Sequence, residues 1–547
     1  MLSRKDLFRA SLFASLGSVI PAASAGALGL GDSAQAAEIT LDDLKAAEKI
    51  AGISFTDEER KALLNDVKQQ VKLFEGVRAQ LGAAQVTPGI HFATIAGGTI
   101  PGSKARVQTS ASKTPALSSL TEEDIAFLST REQGKLIRDR KITSVELTRI
   151  YLNRLKLYGP KLECVVTLTE ELALTQAKQA DDEIAKGKYR GPLHGIPYGI
   201  KDLFATKGIK TSWGAAPYQN QVLDYDAVVV QKLREAGAVL CAKLTLGALA
   251  LGDVWYGGVT KNPWNLKQGS SGSSAGSCAA TAAGLVSFAI GTETLGSICS
   301  PSLRCRTTGL RPTFGRVSRT GAMELAYTMD KVGPICREVE DCALVFASII
   351  GADAGDPATV DRPFNYRPIK DLKGIKIGYT SDLKPEDPFL MNLAELGATI
   401  RPVKFAAYDP GLLTILDVEC GSAFDELTRS PRLNDLKNSP WPATFRAARY
   451  VPAVEYLQAQ RIRANLMRTF ESEFGDLDAF VGNGIGQTIV HVNLTGHPQI
   501  MIPQGDDGKG NSLGKCIIGR LFKEDRLLQI AKLAQEATDF HRKRPTL

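Results

Sequence analysis

The sequence predicts an α/β protein: a mixed β-sheet covered by helices on both faces, preceded by a helical N-terminal extension. Three observations carry that reading. Short apolar runs such as residues 238–242 alternate with amphipathic segments such as 227–235, as expected when strands and helices take turns along the chain. Hydrophobic residues make up 44% of the 547 and charged residues 23%, so a sizeable core can be buried. No internal repeat or heptad array is present, which excludes solenoids and coiled coils.

Residues 1–36 stand apart. Arg4, Lys5 and Arg9 form a basic start, an Ala-rich apolar run follows over 10–31, and Ala34-Gln35-Ala36 supplies a small-residue cleavage site. This pattern predicts an export signal, hence a mature protein that is periplasmic or secreted. Pro21 and the Gly and Ser residues argue against a permanent span, so no stable membrane anchor is expected after signal removal. The start from Ser3 to Phe8 loosely resembles a twin-arginine signal, with Lys5 at the second arginine position.

Residues 37–118 form the extension. The part over 38–85 is predicted helical, with Thr56 and Glu59 spaced as a capping box. The part over 86–118 is rich in Gly, Pro, Ser and Thr, and reads as a linker or strap. The main domain, 119–547, opens on helices. Thr143 with Glu146 caps one whose Leu147, Ile150, Tyr151 and Leu155 share a face.

A net charge of +7 without clustering gives no reason to expect a nucleic-acid partner. The nine cysteines include no C-x-x-C pair, so no zinc site is expected. Their odd number leaves at least one free thiol in an exported chain, and no disulfide pairing can be deduced.

The most unusual stretch begins at residue 269. A run of Gly and Ser reaches Ser277, an apolar segment covers 285–290, and a second small-residue turn ends at Ser297. Gly lets a ligand approach the main chain closely, so serines in two such turns flanking an apolar segment suggest buried chemistry. Residues 272–276 formally match the GxSxG nucleophile elbow. That elbow needs an apolar strand running into it, and Lys267-Gln268-Gly269-Ser270 stands there instead. Of five histidines, His194, His491 and His497 lie in core motifs and also have plain polar-core readings. Lys201 follows the apolar run Gly-Ile-Pro-Tyr-Gly-Ile. Buried there, it could be neutral near pH 7; at the end of an exposed strand, it would be an ordinary surface lysine.

Several segments resemble, in order and spacing, the amidase signature family. They are GIPYGIKDLF at 195–204, NPWN at 262–265, GSSAGS at 272–277, GTETLGS at 291–297, GLRPTFGRVSRTGAM at 309–323, DKVGPICREVED at 330–341 and NLTGHPQIMIP at 493–503. The likeness runs from roughly residue 120 to the C-terminus. It implies one α/β/α amidase domain over 119–547 that hydrolyses an amide C–N bond through an acyl-serine, with no metal or organic cofactor. Its substrate would be a small-molecule or peptide amide. The relay it implies is Lys201, Ser273 and Ser297, with a cis peptide bond before Ser273. Ser270-Ser271 repeats the Ser-Ser pair, but counting 24 positions back from Ser297 selects Ser273-Ser274. Main-chain N–H groups of Thr294, Leu295, Gly296 and Ser297 would form the oxyanion hole, with Ser274, Trp255 and Tyr256 as substrate-binding candidates.

Three residues depart from the family pattern. Leu295 stands where glycine is common, Cys299 where arginine is, and Arg306 where glycine is. Residues 389–484 match weakly and are expected to form the variable substrate face. The family also contains an amidotransferase subunit that frees ammonia from glutamine for tRNA charging. The export signal places that reading second, and an inactive amide-binding protein third. Oligomeric state is not legible.

Overall fold

The computed structural model describes residues 38–81, 90, 105–111 and 116–547. The expected export signal at 1–36 and most of the 86–118 strap lie outside the described residues. Among the described residues no helix is long and apolar enough to cross a membrane.

A single mixed sheet of 11 strands runs through the main domain. In chain order these are β1 (Val165–Leu168), β2 (Pro197–Lys201), β3 (Val239–Leu244), β4 (Phe288–Glu293), β5 (Thr308–Arg311), β6 (Lys331–Cys336), β7 (Lys376–Tyr379), β8 (Thr399–Pro402), β9 (Ala479–Gly482), β10 (Gln499–Asp506) and β11 (Ser512–Gly519). Their order across the sheet is β8-β7-β9-β11-β10-β5-β6-β4-β2-β3-β1. β2 runs parallel to β3 and β4, and β6 runs antiparallel to β4. Every residue of β2, β3, β4 and β6 is buried, as expected for central strands covered on both faces. Ile200, Leu240 and Ile290 sit here fully buried, and each such side chain contributes about 1.5–3 kcal/mol.

The predicted extension is a helical hairpin of α1 (Leu41–Ala51) and α2 (Asp57–Leu81). Thr56 N donates to Glu59 Oε2 at 2.8 Å and Glu59 N donates to Thr56 Oγ1 at 3.2 Å, closing the expected capping box. Thr143 and Glu146 do the same for α3 (Ser144–Leu162), whose Leu147, Ile150, Tyr151 and Leu155 are all buried. The strap contributes one short strand, Arg106–Val107, paired parallel with Asn365–Tyr366.

What positions the site is the passage from β3 to β5. The chain leaves β3, forms two short hairpins, passes the serine turn and enters α4 (Ala275–Ala282). It then forms β4, a second turn, and α5 (Cys299–Cys305) before β5. All eight residues of α4 are small and buried. Closeness is the reason: a Cβ on Gly276 would lie 2.5 Å from Cys164 O and Thr245 N. Larger side chains would push the serine turn off the sheet.

Candidate active site

Lys201 closes β2, and its side chain is fully buried. Its Nζ lies 2.8 Å from Ser273 Oγ, 3.2 Å from Ser274 Oγ, 2.8 Å from Thr292 Oγ1 and 3.4 Å from Thr292 O. All these neighbours are neutral. Burial pushes the lysine pKa down to about 7, with Asp330, Cys278 and Glu293 pulling weakly the other way. Lys243 on the adjacent strand makes the contrast. It is equally buried, but it lies 3.0 Å from Asp202. One strand thus presents a paired structural lysine, the other a lysine among hydroxyls.

The peptide bond between Gly272 and Ser273 is cis. Ser274 uses its whole hydrogen-bonding capacity internally. Its Oγ donates to Thr292 O at 3.0 Å and accepts from Thr292 N at 3.2 Å and from Lys201 Nζ. Through these bonds Ser274, a substrate-contact candidate from the sequence, ties the serine turn to β4. Ser274 N also donates to Ser297 O at 3.1 Å, which joins the first serine turn to the second.

That second turn is fixed from behind by Glu293, the last residue of β4. Its Oε2 accepts from Ile298 N and Cys299 N, both at 2.9 Å. Its Oε1 accepts from Asn493 Nδ2 at 2.9 Å and Gln499 Nε2 at 3.0 Å, and lies 3.1 Å from Arg311 Nε. Lys331 Nζ donates to Asn493 Oδ1 at 2.7 Å and to Thr294 O at 3.3 Å. Among the described residues no protein group accepts from the main-chain N–H of Leu295, Gly296 or Ser297. Gly296 has φ +106°, and a Cβ there would meet Ile489 Cδ1 at 2.9 Å, so the turn needs glycine. Sequence reading missed Thr292 and Glu293, although both stand inside GTETLGS. Strand alternation sends Thr292 toward Lys201 and Glu293 to the opposite face.

A cleft at this end of the sheet is lined by Thr292, Thr294, Met323, Glu324, Tyr327 and Asp330, among others. Neither Lys201, Ser273 and Ser297 nor Trp255 and Tyr256 are among its lining residues. Trp255 and Tyr256 pack on each other edge to face at 4.9 Å, and Tyr256 N is held by Gly214 O at 3.1 Å, beside the 213–218 loop. Leu295 is half-buried against the apolar cluster that includes Ile489 and Phe480. Cys299 is buried, with Sγ 3.5 Å from Gly484 O and 3.8 Å from Cys516 Sγ, and its thiol pKa is held well above the usual value. Arg306 is turned away from the cleft: it pairs with Asp506 at 3.0 Å and stacks over Trp264. His194, His491 and His497 are buried, and none hydrogen-bonds a serine of either turn. All nine cysteines are free and buried, and no metal-binding cluster occurs among the described residues.

A family model described as Amidase matches residues 146–482. A glutamyl-tRNA(Gln) amidotransferase subunit from Methylococcus capsulatus is 37% identical over 468 residues, spanning 74% of this chain and 96% of the relative. Its counterpart in Coxiella burnetii is 34% identical over 473 residues, spanning 75% of this chain and 97% of the relative. Among solved structures, the native peptide amidase from Stenotrophomonas maltophilia superposes with a TM-score of 0.69 at 28% identity. That match covers 76% of this chain and 98% of the other.

Proposed function

The chain belongs to the amidase signature family of amide-hydrolysing enzymes, and from that premise we propose that Lys201, Ser273 and Ser297 carry the reaction. The observation that carries this reading is the 2.8 Å contact of Lys201 Nζ with Ser273 Oγ, in a buried shell with no carboxylate in contact among the described residues. Ser274 already donates its O–H to Thr292 O, so the lysine can only donate to it. The lone pair of a neutral Lys201 is then left for the proton of Ser273, which can in turn take the proton of Ser297.

Ser297 Oγ attacks the carbonyl carbon, and charge develops on the carbonyl oxygen. The uncommitted N–H groups of Leu295, Gly296 and Ser297 are the candidates to receive it, with Thr294 completing the turn. Such fixed donors are worth about 3–4 kcal/mol each in comparable enzymes. Collapse breaks the C–N bond, and the proton held by the Lys201–Ser273 pair passes to the leaving amine. Water, deprotonated along the same path, then releases the acyl group from Ser297.

Of the possible substrates, the side-chain amide of glutamine comes first, as the reaction of an amidotransferase subunit. One observation favours it: the relatives at 34–37% identity carry that name. The second reading is an exported amidase acting on small or peptide amides. It rests on the leader-like residues 1–36 and on the likeness to the peptide amidase.

Purified protein would be assayed for ammonia release from glutamine and from a panel of aliphatic, aryl and peptide C-terminal amides. The N-terminal residue of protein recovered from its own cells would be read alongside. Glutamine turnover with Met1 retained fits the first reading; peptide-amide turnover with a start near Ala37 fits the second. A serine-directed phosphonate should label Ser297 and fail on Ser297→Ala. Labelling that survives this substitution overturns the assignment.

A further inference from the structure

A second cavity, of about 660 Å³, is lined by no residue of the serine turns and shares no lining residue with the cleft beside Thr292 and Thr294. It opens where the strap strand Arg106–Val107, the residue before β9, the β11 exit and α9 (Glu524–Glu536) meet. Five cations line it, Arg106, Arg367, Arg520, Lys523 and Arg526, against the carboxylates Asp478 and Asp525.

Asp478 accepts from Lys376 N at 2.9 Å, and Asp525 accepts from Arg526 N at 2.9 Å. Arg520 is held by Leu477 O and Glu471, and Arg526 has only Asp478 at 3.9 Å. Arg106, Arg367 and Lys523 have no ion pair among the described residues. What sets the cavity apart is the gathering of five cations in one concavity against two carboxylates; outside it, Lys376 and Arg401 share Asp476. Nor does the sequence flanking the strap strand supply a counter-charge: residues 82–104 and 112–115 contain no Asp or Glu.

A concave surface with surplus positive charge concentrates field and draws anions. Arginine adds planar forks that match oxyanions two bonds at a time. The first turn of α9 adds the positive end of a 13-residue helix. The volume lies within the roughly 300–1,000 Å³ of small-molecule sites, so a compact ligand fits better than a polymer. We propose that this cavity is a binding site for a small, multiply charged oxyanion, bridged between Arg106 and Arg367 on one wall and Lys523 and Arg526 on the other.

The test is calorimetric titration of the full chain with inorganic pyrophosphate and, separately, citrate, at constant ionic strength. Saturable binding of either supports the site, and the preferred one tells phosphate from carboxylate. Arg106→Gln with Arg367→Gln, and separately Lys523→Gln with Arg526→Gln, should each weaken binding about tenfold or more. Melting temperature and amide hydrolysis serve as checks that each variant is folded. A control pair outside the cavity, Lys376→Gln with Arg401→Gln, should leave binding unchanged. Absence of saturable binding to both anions overturns the proposal. So does an equal loss in the control pair, which marks a diffuse surface effect.

Discussion

At the scale of single residues, the site rests on the difference between two buried lysines. Burial lowers the pKa of both, but Lys243 has Asp202 at 3.0 Å to oppose it, whereas Lys201 faces hydroxyls and is pushed down to about 7. If Lys201 must be neutral to act, activity falls as pH drops through about 7 and is full above it. Lys201→Ala should cost several orders of magnitude in kcat and remove that acidic limb. Lys201→Arg should not rescue, because guanidinium stays protonated. A pH–rate profile for each variant checks this, and an unshifted limb in Lys201→Ala would rule the lysine out. Ser274 gives a second, smaller expectation. Ser274→Ala takes the Ser274 hydroxyl from Thr292 O and N and removes one acceptor from Lys201 Nζ. A buried bond of this kind is worth about 1–3 kcal/mol, so kcat should fall by roughly ten- to a hundredfold with KM little changed.

At the scale of elements, the unit that matters is the turn between β4 and α5, and Glu293 is its anchor. Its carboxylate holds the N–H groups of Ile298 and Cys299 while facing Arg311, so the turn is fixed before substrate arrives. Glu293→Gln keeps the shape but leaves Arg311 buried without its counter-charge, a loss of about 3–5 kcal/mol in comparable pairs. Chemical denaturation should register that loss, and phosphonate labelling of Ser297 should slow in the folded fraction. Unchanged labelling would mean that the turn holds its shape without Glu293. This element also marks what the sequence could convey. GTETLGS announces a turn, because Gly296 alone tolerates φ +106° against Ile489. Which face each strand residue takes is set by pairing with β2 and β6, and a motif does not contain that. Hence Lys201, with six apolar-leaning residues before it, was legible, whereas Thr292 as its partner was not. The tie from Ser274 to β4 was not legible for the same reason: its hydroxyl partner lies 18 residues away. Trp255 and Tyr256 pack edge to face at a short hairpin, and aromatic residues near a motif do not disclose that.

At the scale of the whole molecule, the hairpin α1–α2 folds back onto α7 (Trp441–Ala448), α8 (Ala453–Phe474) and the turn Pro410–Leu413 that leads into α6 (Thr414–Ala423). Its helices were legible from capping and periodicity; the docking was not, because it joins segments far apart in sequence. Leu44, Phe55, Leu63 and Val67 meet Ala447 in one apolar cluster. Charge pairs frame that contact: Arg60 with Glu48 at 2.7 Å, Arg446 with Glu59, and Arg78 Nε with Glu455 at 3.0 Å. One charged feature opposes the rest. Asp417 on α6 is pushed up to about 7 by burial, and Asp66 on α2 adds to the shift. Its pKa is raised above the unfolded value, so folding favours the protonated acid. That contribution is complete at pH below the unfolded carboxylate range and is lost as pH rises through about 7. Asp417→Asn, which imitates the protonated form at every pH, should therefore melt higher than the parent at pH 8 and level with it near pH 4. Limited proteolysis within 38–81 should slow in parallel at pH 8, since the hairpin is the element the substitution secures. Equal melting curves at pH 8 would mean that Asp417 ionises without cost and that hairpin docking is independent of pH.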